Sequence, residues 1–177
     1  YLNGADFNFT GGDVIVVDST SIWTAPSAAG DGGSVDLGSS NIYGGAVARD
    51  LTINTTPNGA NNAGDVTIGL VDDNAGGNNF LQSLTINANG TTDGIVTLNG
   101  DIGVDGGAIT IDGLIRLPAT RIIDSNADGA GAAGNISLAA TSGAVSATVN
   151  NASLTIDAVG VGAAGGDVTL GSFVSTG

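Results

Sequence analysis

The stretch with the clearest potential for chemistry is Asp124-Ser125-Asn126-Ala127-Asp128-Gly129. Its side-chain oxygens at positions one, three and five, followed by a glycine for a sharp turn, match the first half of a calcium-binding loop. Asp124, Asn126 and Asp128 are therefore the predicted metal ligands, and Ca²⁺ is the candidate ion. The second half does not match, because Asn135 stands where a bidentate Glu is expected. The alternative interpretation is a polar turn rich in Asp and Asn.

The chain contains few of the residue types that commonly act in catalysis. The chain contains no His, Cys, Lys or Glu, so a nucleophilic triad that relies on a His base is excluded. A pair of Asp residues could support glycoside hydrolysis. However, the Asp residues recur at turn positions, where they are expected to cap the turns with their own side chains. We expect no enzymatic activity and assign no catalytic residue.

The charge balance excludes several partners. Seventeen Asp residues face three Arg residues, and the formal net charge is −14. Nucleic-acid binding needs clustered Lys and Arg, so nucleic acid is excluded as a partner, and anionic lipid surfaces would repel the chain. The sequence has no apolar run of membrane-spanning length, so we expect no membrane insertion.

The composition also indicates where the protein works. The absence of Cys excludes a disulfide framework and fits a bacterial surface protein that avoids mis-paired thiols during export. Strong acidity helps a long β protein with adhesive edges to stay soluble. The chain starts at Tyr1 without Met or a signal peptide, and we expect it to be a processed or excised segment. The expected location is secreted or on the cell surface.

A short phrase, in which two apolar residues flank a middle residue, recurs from end to end. The absence of Lys, Glu and Met argues against helices, whereas Val, Ile and Thr favour strands and the 31 Gly residues favour turns. Each phrase predicts a strand whose apolar ends point inward and whose middle residue points outward. The ten phrases begin at Val14, Val35, Leu51, Val66, Leu84, Val96, Ile109, Ile136, Leu154 and Val168.

The phrase has two alternating forms. The form preceded by Gly and a small or polar residue begins at Val35, Val66, Val96, Ile136 and Val168. The second form lacks that Gly and falls between the copies of the first. This alternation predicts coils of about thirty residues that carry at least two facing strands. A longer repeat of about a hundred residues relates Val35 to Ile136 and Leu51 to Leu154.

We therefore predict an all-β fold, a parallel β-solenoid (a right-handed β-helix) of about thirty residues per coil. Residues 1–177 form one segment of nearly two tandem units, about 14–113 and 114–177. The inserts Thr55–Asn61, Asp72–Asn79 and Asp124–Ala133 are expected to bulge from one side. The alternative is two tandem β-sandwich domains. Against it, the single Trp, Trp23, lies in a stretch that reads as a loop.

The outward middle residue of the phrase is often Thr. A single column of these hydroxyls would be a candidate ice-binding or glycan-binding face, and the ordinary preference of Thr for outward strand positions is the alternative. The residues of this predicted column are Thr52, Thr67, Thr85, Thr97, Thr110, Thr155 and Thr169.

The stretches "SLTINANG", "GIVTLNGDIG", "AITIDG" and "GAAGNISLAA" resemble repeats of large exported bacterial adhesins of the filamentous haemagglutinin type and of related autotransporter-like exoproteins. The resemblance extends from about Val35 to Val174. It implies a right-handed parallel β-helix that is exported and forms a rod or fibre for attachment or matrix building.

The expected function is structural and adhesive: a segment of an extracellular fibre or filament that presents variable loops on a stacked rod. The expected partners are further copies or neighbouring repeats joined head to tail, together with glycans or a host or biofilm surface. The alternative function is a calcium-stabilised polysaccharide-binding module.

Overall fold

The structure is a computed structural model that describes residues 1–45, 47, 49–73, 79–139, 146–147 and 152–171. All the regular secondary structure in these residues is β-strand. The strands are β1 (Phe7–Asn8), β2 (Asp13–Val16), β3 (Thr20–Trp23), β4 (Val35–Gly44), β5 (Asp50–Asn54), β6 (Val66–Val71), β7 (Ser83–Asn87), β8 (Ile95–Leu98), β9 (Ile102–Gly103), β10 (Ile109–Asp112), β11 (Leu114–Leu117), β12 (Arg121–Asp124), β13 (Ile136–Ala139), β14 (Ser146–Ala147), β15 (Leu154–Asp157) and β16 (Val168–Leu170).

The strands stack in three columns of parallel ladders. The first column runs through β1, the first part of β4, the first part of β6, β8, β11 and β14. The second runs through β2, the second part of β4, the end of β6, β9, β12 and β15. The third runs through β3, β5, β7, β10, β13 and β16.

This arrangement is a β-solenoid in which each coil contributes one strand to each column. Val35 pairs with Val66, and Val66 pairs with Val96, so coils follow one another about every thirty residues. The predicted parallel β-solenoid is confirmed. The alternative of two β-sandwich domains is wrong, because all ladders between the named strands are parallel. Trp23 ends β3 rather than lying in a loop, and its side chain is 43 % exposed.

The core follows from the period of two in each strand. In the third column the inward residues of four successive strands are at most 4 % exposed, whereas the residues between them are half-buried. Burying each of these aliphatic side chains contributes about 1.5–3 kcal/mol. These core residues are Leu51, Ile53, Leu84, Ile86, Ile109, Ile111, Ile136 and Leu138.

We call the long loops at the corners of the stack arches; each ends at a glycine where the chain re-enters the stack. Three arches share one further design, in which the chain leaves a strand at a buried hydroxyl residue nine residues before that glycine. The Thr55 hydroxyl donates to the Gly64 carbonyl at 2.7 Å, and the Ser125 hydroxyl donates to the Gly134 carbonyl at 2.7 Å. Thr24 makes the same bond to the Gly33 carbonyl. Each hydroxyl thereby closes its loop inside the stack.

The glycines that end the arches lie in contact with one another from coil to coil. A Cβ atom on Gly64 would overlap the backbone carbonyl of Gly33, and one on Gly94 would overlap that of Gly64. The same holds for Gly134 on Gly107, and for Gly166 on Gly134. Backbone stacks on backbone at these corners, which leaves no room for a side chain.

The arches change corner partway along the stack. The arches after β3 and β5 lead from the third column to the first, whereas those after β12 and β15 lead from the second column to the third. Between β10 and β11 only Gly113 remains. The predicted insert Thr55–Asn61 therefore leaves one corner and Asp124–Ala133 another, so the expectation of a single side is wrong. The insert Asp72–Asn79 lies partly outside the described residues, at 74–78.

The two forms of the phrase do not keep to separate columns beyond Val96. Val96 pairs with Ile115, a strand that the phrase pattern did not include. Ile136 pairs instead with Ile109 in the third column, and Val168 stacks on Ile136. The reason is the short Gly113 connection, which returns the chain to the first column without an arch.

Candidate functional site

The predicted calcium residues lie at the start of one arch. Asp124 is the last residue of β12, and the fully buried Ser125 opens the arch. Asn126 is 4 % exposed, and Asp128 is half-buried. Gly129 has a φ of 68°, the left-handed conformation expected of a turn glycine. The motif therefore forms a tight turn at the corner between the second and third columns.

The two carboxylates of the motif stabilise the backbone of this turn. Asp124 Oδ1 accepts a hydrogen bond from the Asn126 N–H at 2.8 Å, and Asp128 Oδ1 accepts one from the Ala130 N–H at 3.1 Å. The predicted capping of turns by Asp is confirmed here. Each carboxylate has a second oxygen and several lone pairs, so capping leaves it able to accept further bonds.

Asn135 does not complete a calcium loop of the predicted kind. Its Oδ1 accepts a hydrogen bond from the Asp167 N–H of the next coil at 2.9 Å. Within the described ranges, no group of three His, Cys, Asp or Glu side chains is placed to hold a metal ion. The assignment of Ca²⁺ to Asp124, Asn126 and Asp128 stays a prediction.

The structure brings a fourth residue, Asp105, to this turn from the preceding coil. Asp105 forms an antiparallel bridge with Asn126, supported by a hydrogen bond of 3.0 Å from the Ala127 N–H to the Val104 carbonyl. Its carboxyl group is a neighbour of the Asp128 carboxyl group, whose charge acts on it. The sequence shows Asp105 only as a turn residue before two glycines, and nothing in its spacing connects it to residues 124–129.

Two carboxyl groups at the turn, those of Asp105 and Asp124, have raised pKa values. Partial burial raises the pKa of Asp105, and the neighbouring charge of Asp128 raises it further. Partial burial also raises the pKa of Asp124; the hydrogen bond from the Asn126 backbone opposes this, while the charges of Asp157 and Asp128 add to it. Negative charge is therefore concentrated and partly desolvated at this corner.

The third column carries a continuous file of outward hydroxyl residues, which we call the hydroxyl file. Its members stack in register, one per coil, at the spacing of about 4.8 Å that separates neighbouring strands. The file consists of Ser21, Thr52, Thr85, Thr110, Ser137 and Thr169. The predicted single column of seven Thr residues is wrong, because Thr67 and Thr97 lie in the first column and Thr155 in the second.

Comparisons with protein families, with characterised proteins and with solved structures give no match to this chain. The part of the chain that the structure describes contains no helix long and apolar enough to cross a membrane. The geometry of the stack and of its corners is therefore the basis for assigning a function.

Proposed function

We propose that this chain is a rod-forming segment of an extracellular surface fibre, and the exposed ends of its stack support this. The last coil exposes residues whose counterparts in other coils belong to the core. Val168 and Leu170 of β16 are 45 % and 44 % exposed. The positions on which they stack, Ile136 and Leu138, are 0 % and 4 % exposed. Among the described residues, β16 pairs only with β13, so its other edge presents free backbone groups beside this apolar surface.

The first coil also has inward-facing residues that are not fully covered. The inward residues Phe7, Val14 and Ile22 are only partly buried against the core. At the end of β3, Trp23 packs near Tyr1, with ring centroids 6.4 Å apart, and both side chains remain exposed. No described strand pairs with the outer edges of β2 and β3.

In the proposed fibre, coils continue head to tail at both ends of this segment. The exposure of core positions at the terminal coils is the observation that carries the proposal. A further coil, from neighbouring repeats or from a second copy, would bury these side chains and complete the parallel ladders. The arches along the rod would then be displayed many times, so that weak contacts to a surface add by avidity.

An extracellular location is part of the same proposal. The absence of Cys supports it, since such a chain needs no disulfide chemistry. The net charge of −14 supports it as well, because it repels other acidic surfaces. The resemblance of its phrases to exported adhesin repeats supports it as well.

The proposal is tested by imaging and light scattering of the purified chain across a concentration series. We expect rods that lengthen with concentration, and we expect the double variant Val168→Lys/Leu170→Lys to remain monomeric, because two charges would lie at the joining edge. The control is Val47→Lys, which places one such positive charge at an exposed position outside the strands. Monomers at every concentration, or equal effects of the two variants, would refute head-to-tail joining of copies.

A polysaccharide-binding module is the second candidate. The observation that favours it is the hydroxyl file, beside which Asn54, Asn87 and Asp112 form a second polar file in register. These two files offer donors and acceptors at a regular spacing. A glycan array would test this function, with Thr85→Val as the variant expected to lose the signal. Binding that is unchanged in Thr85→Val would place any glycan site elsewhere.

A further inference from the structure

Asn126 has an unusual environment for a loop residue. Its side chain is 96 % buried, since only 4 % of its surface is exposed. Its Nδ2 donates to the Val159 carbonyl of the next coil at 3.1 Å. Its Oδ1 is buried and has no hydrogen-bond partner. A flipped amide would set Oδ1 against the Val159 oxygen, so the unpartnered atom is the acceptor.

The bridge to Asp105 shows where this oxygen points. In the antiparallel bridge between Asp105 and Asn126, the hydrogen bond runs between their neighbours, Val104 and Ala127. Residues paired in this way have side chains on the same face, with Cβ atoms about 4.5–5.5 Å apart. Because Oδ1 and Nδ2 diverge from the same carbon and Nδ2 is turned to the coil of Val159, we infer that Oδ1 lies on the side of the amide nearer the coil of Asp105.

Asp105 and Asp128 are neighbouring carboxyl groups, since the charge of Asp128 acts on Asp105. Two neighbouring carboxylates repel each other unless a proton or a cation lies between them. An unpartnered amide oxygen beside two carboxylates is a set of hard oxygen ligands, which Ca²⁺ prefers.

We propose that Asp105, Asp128 and the Asn126 Oδ1 form a calcium site that joins two neighbouring coils. The site shares Asn126 and Asp128 with the half loop of the sequence prediction. It differs in recruiting Asp105 from another coil, whereas Asp124 caps the turn next to the ion. With three protein oxygens and water completing the shell, the expected dissociation constant is about 10⁻⁴–10⁻³ M, the range of extracellular calcium modules.

The chain contains a natural counterpart without these charges. In the arch that follows β5, Asn54, Thr56 and Asn58 stand at the places of Asp124, Asn126 and Asp128. The turn geometry is the same, because Asn54 Oδ1 accepts the Thr56 N–H at 3.0 Å. That arch folds with neutral residues, so the acidic residues at 124 and 128 are not needed to form the turn.

The test is calorimetric titration of the purified full chain with CaCl2, after removal of divalent ions with EDTA. We expect one ion per chain and a rise in the thermal unfolding midpoint with CaCl2. Asp105→Asn and Asp128→Asn are expected to weaken binding at least tenfold. Asp167→Asn, which removes the same charge from an exposed position, is the matched control and should bind as the unchanged chain does.

A second measurement keeps the result independent of stability. In a two-dimensional ¹H–¹⁵N spectrum, CaCl2 should shift the Asn126 side-chain amide and the Gly129 backbone amide, and should leave Gly59 of the neutral arch unmoved. Absence of binding, unchanged binding in Asp105→Asn, or an equal response to MgCl2 would overturn the calcium site. None of these outcomes depends on whether the chain forms a fibre.

Discussion

At the scale of single residues, the buried hydroxyls at the start of the arches are the most informative side chains. Thr24, Thr55 and Ser125 are fully buried, although Thr and Ser are usually exposed. The hydroxyl of each donates a hydrogen bond to a glycine carbonyl on the far side of its loop. A long polar loop is thereby anchored within an aliphatic core.

Substitution of Thr55 by Val tests this role. Thr55→Val keeps the shape of the side chain but leaves the Gly64 carbonyl without its 2.7 Å donor. We expect the free energy of unfolding to fall by about 1–3 kcal/mol, as measured by urea unfolding followed by circular dichroism. The control is Thr67→Val, a half-buried outward position in the next strand, where a change within about 0.5 kcal/mol is expected. Equal losses in the two variants would contradict the anchoring role.

The sequence predicted some of these residues and not others, for physical reasons. The alternation of apolar and polar residues located all ten predicted strands correctly, because that alternation reflects burial directly. It does not distinguish Thr55, which is buried, from Thr56, which is half-buried. Asp105 was missed because its neighbours at the site come from the next coil, and a single sequence carries no signal for contacts between coils.

At the scale of the elements, the sequence missed two strands of the second column, β9 and β12. Strands β9 and β12 lack a clear apolar alternation, since Gly103 and the exposed Ile122 interrupt it. Their pairing is set by the strands above and below rather than by their own pattern. The coils consequently have three faces, where the two forms of the phrase indicated at least two.

The glycine contacts between arches leave no room for a side chain. Gly64→Ala would place a Cβ atom into the Gly33 backbone, which cannot move without breaking the ladder from Val35 to Val66. We expect a loss of about 1–3 kcal/mol in the free energy of unfolding, the usual cost of overpacking. Gly30→Ala is the control, because its nearest neighbouring atom would lie 3.8 Å away and its φ is not positive. A Gly64→Ala chain as stable as the control would show that the arches are not in close contact.

At the scale of the whole molecule, charge opposes the assembly that the apolar ends favour. A net charge of −14 is carried by every copy, so two copies that approach end to end repel each other. Salt screens this repulsion, and the Debye length falls from about 30 Å at 0.01 M to about 8 Å at 0.15 M ionic strength.

Rod formation should therefore increase with salt. We expect the weight-average mass measured by light scattering to rise as NaCl is increased from about 0.01 M to about 0.15 M. The Val168→Lys/Leu170→Lys variant should show no such rise, because its joining edge is disrupted. A mass that falls with added salt would mean that attraction between opposite charges, rather than apolar burial, holds copies together.

The change of corner by the arches has a consequence for a longer fibre. The hundred-residue repeat carries a phrase from the first column to the third, as from Val35 to Ile136, and from the third to the second, as from Leu51 to Leu154. Each repeat thus ends one face short of a whole number of turns. If such units followed one another, the corner that carries the arches would rotate gradually around the fibre axis. Every side of the fibre would then carry arches. Arches would then contact a surface whatever the rotation of the fibre about its long axis.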